Sequence, residues 1–483
     1  MSKGSRASIR AGETVARLQK LFALLLAVSA SVAFPARVAL AQTAPAPAPA
    51  PAADERKAAA VPQTAESLVT ELDVNGLKVL VKRRAGSLTV AGGLFLRGGA
   101  RNVTAENAGV EALMWDVATE GSVGFPRAEL RKETARMGTS INYGLNYDYS
   151  ALTFGSTRAN FDRSWEIFAD VALRPAFAPE DFRRVQSRMI VGRRGEADSP
   201  ESQLEVLQSR AAYAGHPYAT DPRGSVESLA RLTVEDARRF HREVLQTSRL
   251  LLVVVGDLDA EGLRGRIAAT FGKLPRGAYR PAAAPPLAFA APSVEFTQRA
   301  IPTNYIQGVF AAPPLTSADI HAMRIASSLL NDRVLLEVRF RRNLSYAPSA
   351  FLRDQGANLG GLYVTADNQK ANEAVKVMLD EIGRLQREQI EASDLATQIN
   401  SYLTRYYMNQ ETNGAQAGEL ALYEMIGGGW RNSLAILPHI RAVTPADVQR
   451  VAQKYMRNLR FVVLGDPARV DKKLFTPQPA VSE

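Results

Sequence analysis

Two tandem α+β domains, each a mostly antiparallel sheet covered by helices, are the fold this sequence predicts. Three observations carry the prediction. First, two distant stretches share one order of elements. Residues 231–257 read RLTVEDARRFHREVLQTSRLLLVVVGD, and residues 442–466 read AVTPADVQRVAQKYMRNLRFVVLGD. Each has a Thr-x-x-Asp helix start (Thr233/Asp236 and Thr444/Asp447), an amphipathic helix, a short loop and a β-rich run ending in Gly-Asp. Second, the spacing recurs: the two threonines lie 211 positions apart, and Ala159-Asn160 and Ala371-Asn372 repeat at 212. A unit near 210 residues is too long for a solenoid repeat, so each copy is expected to be a domain. Third, strands and helices mix without regular strand–helix–strand alternation, which favours antiparallel sheets over doubly wound ones.

The elements follow in order along the 483 residues. Basic residues run from Lys3 to Lys20, followed by LFALLLAVSASVAF and by Ala39-Leu40-Ala41. The apolar run is about 14 residues, short of the roughly 20 a spanning helix needs. It reads as a cleaved export signal over residues 1–41, implying a periplasmic or otherwise exported protein with no membrane span after cleavage. The long basic leader leaves an uncleaved N-terminal anchor as the alternative. Residues 42–65 form a Pro/Ala-rich linker with too little apolar bulk to fold. The first domain is expected over 66–279. It opens on a hairpin, with Asn75-Gly76 between two β-prone runs of TELDVNGLKVLVKRR. A strand (VAGGLFLRGGARN), a helix over 107–121 and a strand pair (SINYGLNYDYSALTFGS) come next, then several helices to about residue 243. A second Pro/Ala-rich linker, 280–294, separates this domain from the other at 295–475.

Composition removes several functions. There is no Cys, hence no disulfide, thiolate metal site or Cys nucleophile. Of 59 basic and 49 acidic residues, six basic and one acidic fall in residues 1–41, leaving the remainder at a mild +5. No basic stripe is interleaved with aromatics, so nucleic acid is not an expected partner. The four His (His216, His241, His321, His439) include no pair at ligand spacing on one helix. There is no Gly-x-Ser-x-Gly and no plausible His-centred triad, which argues against a self-sufficient hydrolase of other chemistry.

Several motifs, in order, resemble one family. GGLFLRGGARN resembles the strand and turn before an active-site helix. GTSINYGLNYDYSALTF resembles an edge hairpin, through Gly138, Asn142 and Asp148. GHPYATDPRG resembles a His-Pro-Tyr…Gly segment, and LTVEDARRF…VVVGD a domain-closing unit. Over residues 66–475 the chain is thus similar to the insulinase/pitrilysin-type zinc metallopeptidases, especially their bacterial and mitochondrial-processing branch. The resemblance implies an inverted zinc motif, His-x-x-Glu-His, on the first helix. Two His four apart share one face and one Zn²⁺, the Glu between them activates water, and a Glu some 75–80 residues later completes the ligands.

Here GVEALMWDVATEG, residues 109–121, occupies that place. Gly109 and Gly121 match the flanking glycines. The first His falls on Ala112, the Glu on Trp115, the second His on Asp116, and the later Glu near Gly192, with Glu196 one turn on. No catalytic zinc is expected. A different metal site on Glu111, Asp116 and Glu120 is a minor alternative. The favoured reading is a surface helix edge carrying acids, with Trp115 filling the vacated pocket.

The second half differs. LLNDRVLLEVRFRRNLSYAPSA, 329–350, resembles the family's second motif, with Arg339 and Tyr346 and with Leu344-Ser345 just before the Tyr. The resemblance implies that Arg339 holds a substrate carbonyl and that Tyr346 donates to the oxygen that becomes charged as water adds. The plain alternative is a basic amphipathic helix ending on a capping Leu and a packed Tyr. Some family members are heterodimers in which one subunit carries zinc and the other Arg/Tyr. The expectation is therefore a non-catalytic subunit with no cofactor of its own. Its partners would be a zinc-bearing homologous subunit, in a heterodimer or heterotetramer, and a peptide substrate. The other reading is a structural or assembly protein of the same fold, as with the core subunits of the cytochrome bc1 complex.

Overall fold

A six-stranded and a five-stranded sheet organise the chain, and the smaller repeats the larger without its first strand. The computed structural model describes residues 66–476; the expected export signal and the first linker lie outside the described residues. The first sheet contains β1 (Val69–Val74), β2 (Leu77–Arg83), β3 (Thr89–Arg97), β4 (Ser140–Leu145), β5 (Tyr149–Thr157) and β6 (Leu250–Gly256), in spatial order β1-β2-β6-β3-β5-β4. The second contains β7 (Ser293–Gln298), β8 (Thr303–Ala311), β9 (Ser349–Leu352), β10 (Leu359–Asp367) and β11 (Arg460–Gly465), in order β7-β11-β8-β10-β9. Matching β2-β6-β3-β5-β4 to β7-β11-β8-β10-β9 makes the orders identical. The pairing sense matches as well: β2·β6 and β7·β11 are parallel and every other pair is antiparallel.

Local chemistry sets the elements. β1 and β2 join through Asn75 and Gly76, both at positive φ (53° and 79°), the backbone a two-residue type I′ hairpin requires. In the first half, β3 leads to α1 (Val110–Ala118) and α2 (Arg127–Met137). After β5 come α3 (Phe161–Leu173), α4 (Pro179–Gly195), α5 (Pro200–Ala212), α6 (Val226–Arg231) and α7 (Val234–Val244), and α8 (Ala260–Ala269) follows β6. In the second half, α9 (Asp319–Val334) follows β8. After β10 come α10 (Ala371–Arg387), α11 (Ala392–Asn409), α12 (Asn413–Ile426), two short helices α13 (Arg431–Leu434) and α14 (Ile436–Arg441), and α15 (Pro445–Tyr455). The predicted starts of α7 and α15 are both full capping boxes: the Thr233 and Thr444 hydroxyls accept from the backbone of Asp236 and Asp447, whose carboxylates accept from the Thr backbone. Thr444→Ala is expected to lower stability by about 1 kcal/mol in denaturant unfolding.

The halves, which belong to one compact unit, exchange helices. β6 is buried along its whole length, and its side chains alternate between two cores. Leu250, Leu252 and Val254 face the helices of their own half, while Leu251, Val253 and Val255 face Ala417, Leu420 and Ala421 of α12 together with Trp430. The second half mirrors this: Phe461 and Val463 face their own helices, and Val462 and Leu464 meet Leu204 and Ala211 of α5. Trp430 Nε1 donates to Glu71 Oε2 at 2.8 Å, and Arg460 Nη1 to the Ala211 carbonyl at 2.8 Å, tying the exchange down. Among the described residues no helix is long and apolar enough to cross a membrane.

Candidate functional site

The helix expected to lie at a surface edge is buried. All nine residues of α1 are covered. It enters through Gly109 at φ 94°, where a Cβ would meet Leu229 at 2.6 Å, so glycine is required by backbone and by space. An apolar side chain on every face belongs inside a core rather than at its margin. The residues at the expected metal positions each have another occupation. Ala112 packs in the core. Trp115 is wholly buried in the main core of the first half, and its Nε1 donates to Ser150 Oγ on β5 at 2.9 Å. Asp116 receives Arg188 Nη2 at Oδ1 (2.6 Å) and the Tyr143 hydroxyl at Oδ2 (3.1 Å). Burial first, and then the Asp116 carboxylate, push the Tyr143 phenol up, so it stays a donor.

Arg188 is a residue the sequence reading missed. It lies on α4 one turn before Gly192, on the same helix face, and this spacing was the available signal. Gly192 itself is exposed with open space around it. Glu196 turns elsewhere, bonded to Arg193 and Arg223. A guanidinium thus holds the Asp116 carboxylate.

The remaining carboxylates are committed too. Glu120 lies within 3.5 Å of Arg127, Arg131, Arg184 and Arg188. Burial would push it up, but Arg184 and Arg127 outweigh that and hold it below the usual range. Glu111 points away from both. Its Oε2 accepts from Asn102 Nδ2 at 2.8 Å. Glu111, Asp116 and Glu120 therefore do not converge, and among the described residues no three His, Cys, Asp or Glu are placed to hold a metal. A neutral alanine, an indole and an arginine-bound carboxylate do not fit zinc.

Burial pushes Glu111 up from 4.5 to about 7. A carboxyl whose folded-state pKa is raised stabilises most at low pH, and its contribution is lost as pH climbs from about 4.5 through 7. Ionised at pH 8, it costs about 3 kcal/mol. Glu111→Gln is expected to gain stability over the parent at pH 8 and little at pH 5; an equal difference at both pH values contradicts this.

The second constellation is built differently. α9 runs into a π-helical turn, Leu335–Arg341, of a kind frequent at functional sites. Asn343 then takes a left-handed conformation (φ 50°), and Leu344 N–H closes on the Val338 carbonyl at 2.8 Å. Leu344 and Ser345 are buried and anchor the loop, so Tyr346 is thrown outward and is 78% exposed. The alternative of a packed Tyr is thereby excluded. Arg339 Cζ lies 4.2 Å from the Tyr346 ring centroid and 5.3 Å from that of Phe340. The nearby carboxylate, Glu337, is taken by Arg341 (2.5 Å) and Arg342. Arg339 has no carboxylate partner among the described residues. Phe340 and Leu336 are also exposed (65% and 43%), so the stacked pair sits in an apolar patch.

The family models for "Insulinase (Peptidase family M16)" and "Peptidase M16 inactive domain" match residues 78–221 and 231–402, together well over half the chain. The chain belongs to the insulinase, or M16, peptidase family. It shares the M16 fold: a structure from Pseudomonas fluorescens described as a peptidase M16 inactive domain superposes with TM-score 0.75 at 18% identity, covering 82% of this M16 chain and 98% of that one. The mitochondrial-processing peptidase subunit beta of Blastocladiella emersonii is 23% identical over 426 residues, 84% of this chain and 89% of that protein. The zinc protease PqqE of Helicobacter pylori is 25% identical over 191 residues, 39% of this chain; the match spans less than half, 43%, of that relative.

Proposed function

We propose that this M16 chain is the exported, non-zinc subunit of a zinc metalloendopeptidase, completing the site of a zinc-bearing homologue in trans. The observation that carries the reading is Arg339: an arginine with no carboxylate partner, stacked on an exposed tyrosine. A free guanidinium and a phenol held side by side can take a peptide carbonyl and donate to the oxygen that becomes negative as water adds. Among the described residues of the first half no His, Asp or Glu cluster is placed to hold a metal, and in this reading Trp115 and Arg188 fill the place where the family's motif would hold one. Metal and attacking water would come from the partner. The exposed Phe340 and Leu336 beside the pair offer apolar area for that docking. Export rests on the leader, residues 1–41.

The test is a titration. Added to a homologue that carries His-x-x-Glu-His, the chain is expected to raise hydrolysis of a fluorogenic peptide to a plateau at one chain per zinc subunit, while hydrolysing nothing alone. Hydrolysis by the chain alone overturns the reading. A complex that forms without any gain in hydrolysis favours the structural or assembly role instead.

A further inference from the structure

The second half carries a pocket of about 470 Å³ between α9, the edge strand β9 and α11. By order of elements, these correspond to α1, β4 and α4, which surround Asp116 and Arg188 in the first half. The first-half space is closed by side chains, whereas its counterpart is open and polar. The volume falls in the range of small-ligand sites.

Its charges are unevenly satisfied. Arg324 is nearly buried and spent on Asp354 (2.9 Å) and the Tyr423 hydroxyl (3.0 Å). Arg405 is not: among the described residues its Nη2 donates only to Ser328 Oγ at 2.7 Å, and no carboxylate lies within ion-pair reach. Asp332 has amide partners, Gln398 Nε2 at 3.1 Å and Asn331 Nδ2 at 3.4 Å, but no cation among the described residues. Ser327, which is 5% exposed and lines the pocket, leaves its hydroxyl without a partner. A free cation, a free carboxylate and an unpaired hydroxyl around one opening suit a ligand bearing both charges.

The wall adds a backbone template. β9 pairs only with β10, so it is a sheet edge. The Ala350 N–H points outward and is capped by Asn331 Oδ1 at 3.1 Å. By the two-residue period of a strand, Leu352 presents its N–H and C=O outward as well, with no backbone partner among the described residues.

We infer that this pocket binds the carboxyl-terminal end of an extended peptide whose last residue is basic. The peptide backbone adds to β9 at Leu352, the terminal carboxylate meets Arg405 and the serine hydroxyls, and the terminal Lys or Arg side chain meets Asp332. The site is independent of Arg339 and Tyr346 and needs no zinc subunit.

The test uses the chain alone and fluorescence anisotropy with three labelled hexapeptides: one ending in Lys with a free carboxyl, the same peptide amidated, and one ending in Glu. Saturable binding is expected for the first, weakened at least tenfold by amidation and by the change to Glu. Arg405→Ala is expected to abolish the preference for the free carboxyl, and Asp332→Asn the preference for Lys over Glu; both residues are exposed, and circular dichroism checks their folding. Equal binding of the three peptides, no saturable binding of any, or unchanged preferences in both variants would overturn the inference. Because nothing is hydrolysed, failure here leaves the trans-completion reading untouched, and the converse holds.

Discussion

Trp115→Ala is expected to lower the unfolding free energy by about 3–5 kcal/mol, the cost of emptying an indole-sized volume in a core. Trp115 is wholly buried, and its Nε1 satisfies Ser150 Oγ across to β5. Truncation removes both the packing and the hydroxyl's partner, so the upper part of that range is expected. Trp115→Phe keeps most of the volume and loses the hydrogen bond, so it should cost only about 1–2 kcal/mol. The measurement is the urea midpoint at fixed slope. A loss under about 1 kcal/mol for Trp115→Ala would mean that the indole does not fill the pocket, and that the space is free for something else.

Arg339→Ala is expected to reduce kcat/KM of the reconstituted pair about 10–100-fold, the worth of one charge-assisted hydrogen bond to substrate. The stability of this chain should hardly move, because among the described residues Arg339 has no ion-pair partner to lose, and the rings it lies over, Tyr346 and Phe340, are exposed. Arg339→Lys should rescue poorly: an ammonium neither stacks on Tyr346 as a planar group nor presents paired donors. A large stability loss, or full rescue by Lys, would assign Arg339 a merely structural or generic charge role.

The duplication was legible because it rests on local chemistry. Capping boxes at Thr233 and Thr444 and β-rich runs ending in Gly-Asp are each specified within a few residues. The reciprocal exchange of α5 and α12 between the halves was not legible. It depends on which face of an all-buried strand meets which helix, and the run LLLVVVG of β6 carries no alternation to say so. The same limit explains the misplacement of α1. Glu111, Asp116 and Glu120 suggested a solvent edge, yet two of them are buried by arginines from α2 and α4, and the third by Asn102. The α4 arginines, Arg184 and Arg188, come from far along the chain, whereas Arg127 and Asn102 are near in sequence and reach their carboxylates only through the turns on either side of α1. That residues 109–121 hold no His-x-x-Glu-His could be read from residue identity alone. What Trp115 and Asp116 bond to, Ser150 and Arg188, needed the fold. Likewise Arg339 and Tyr346 could be picked out by motif. Their stacking depends on a π-helical turn and a left-handed Asn343, for which the sequence offers no periodic signal.

The most direct test of trans completion is kcat of the reconstituted pair carrying Tyr346→Phe in this chain, with the affinity between subunits measured alongside. Tyr346 is exposed, and loss of its hydroxyl leaves the ring in place. The account predicts unchanged assembly and a fall in kcat of about 10²–10³, the worth of one donor to a developing oxyanion. Unchanged assembly with unchanged kcat would contradict it.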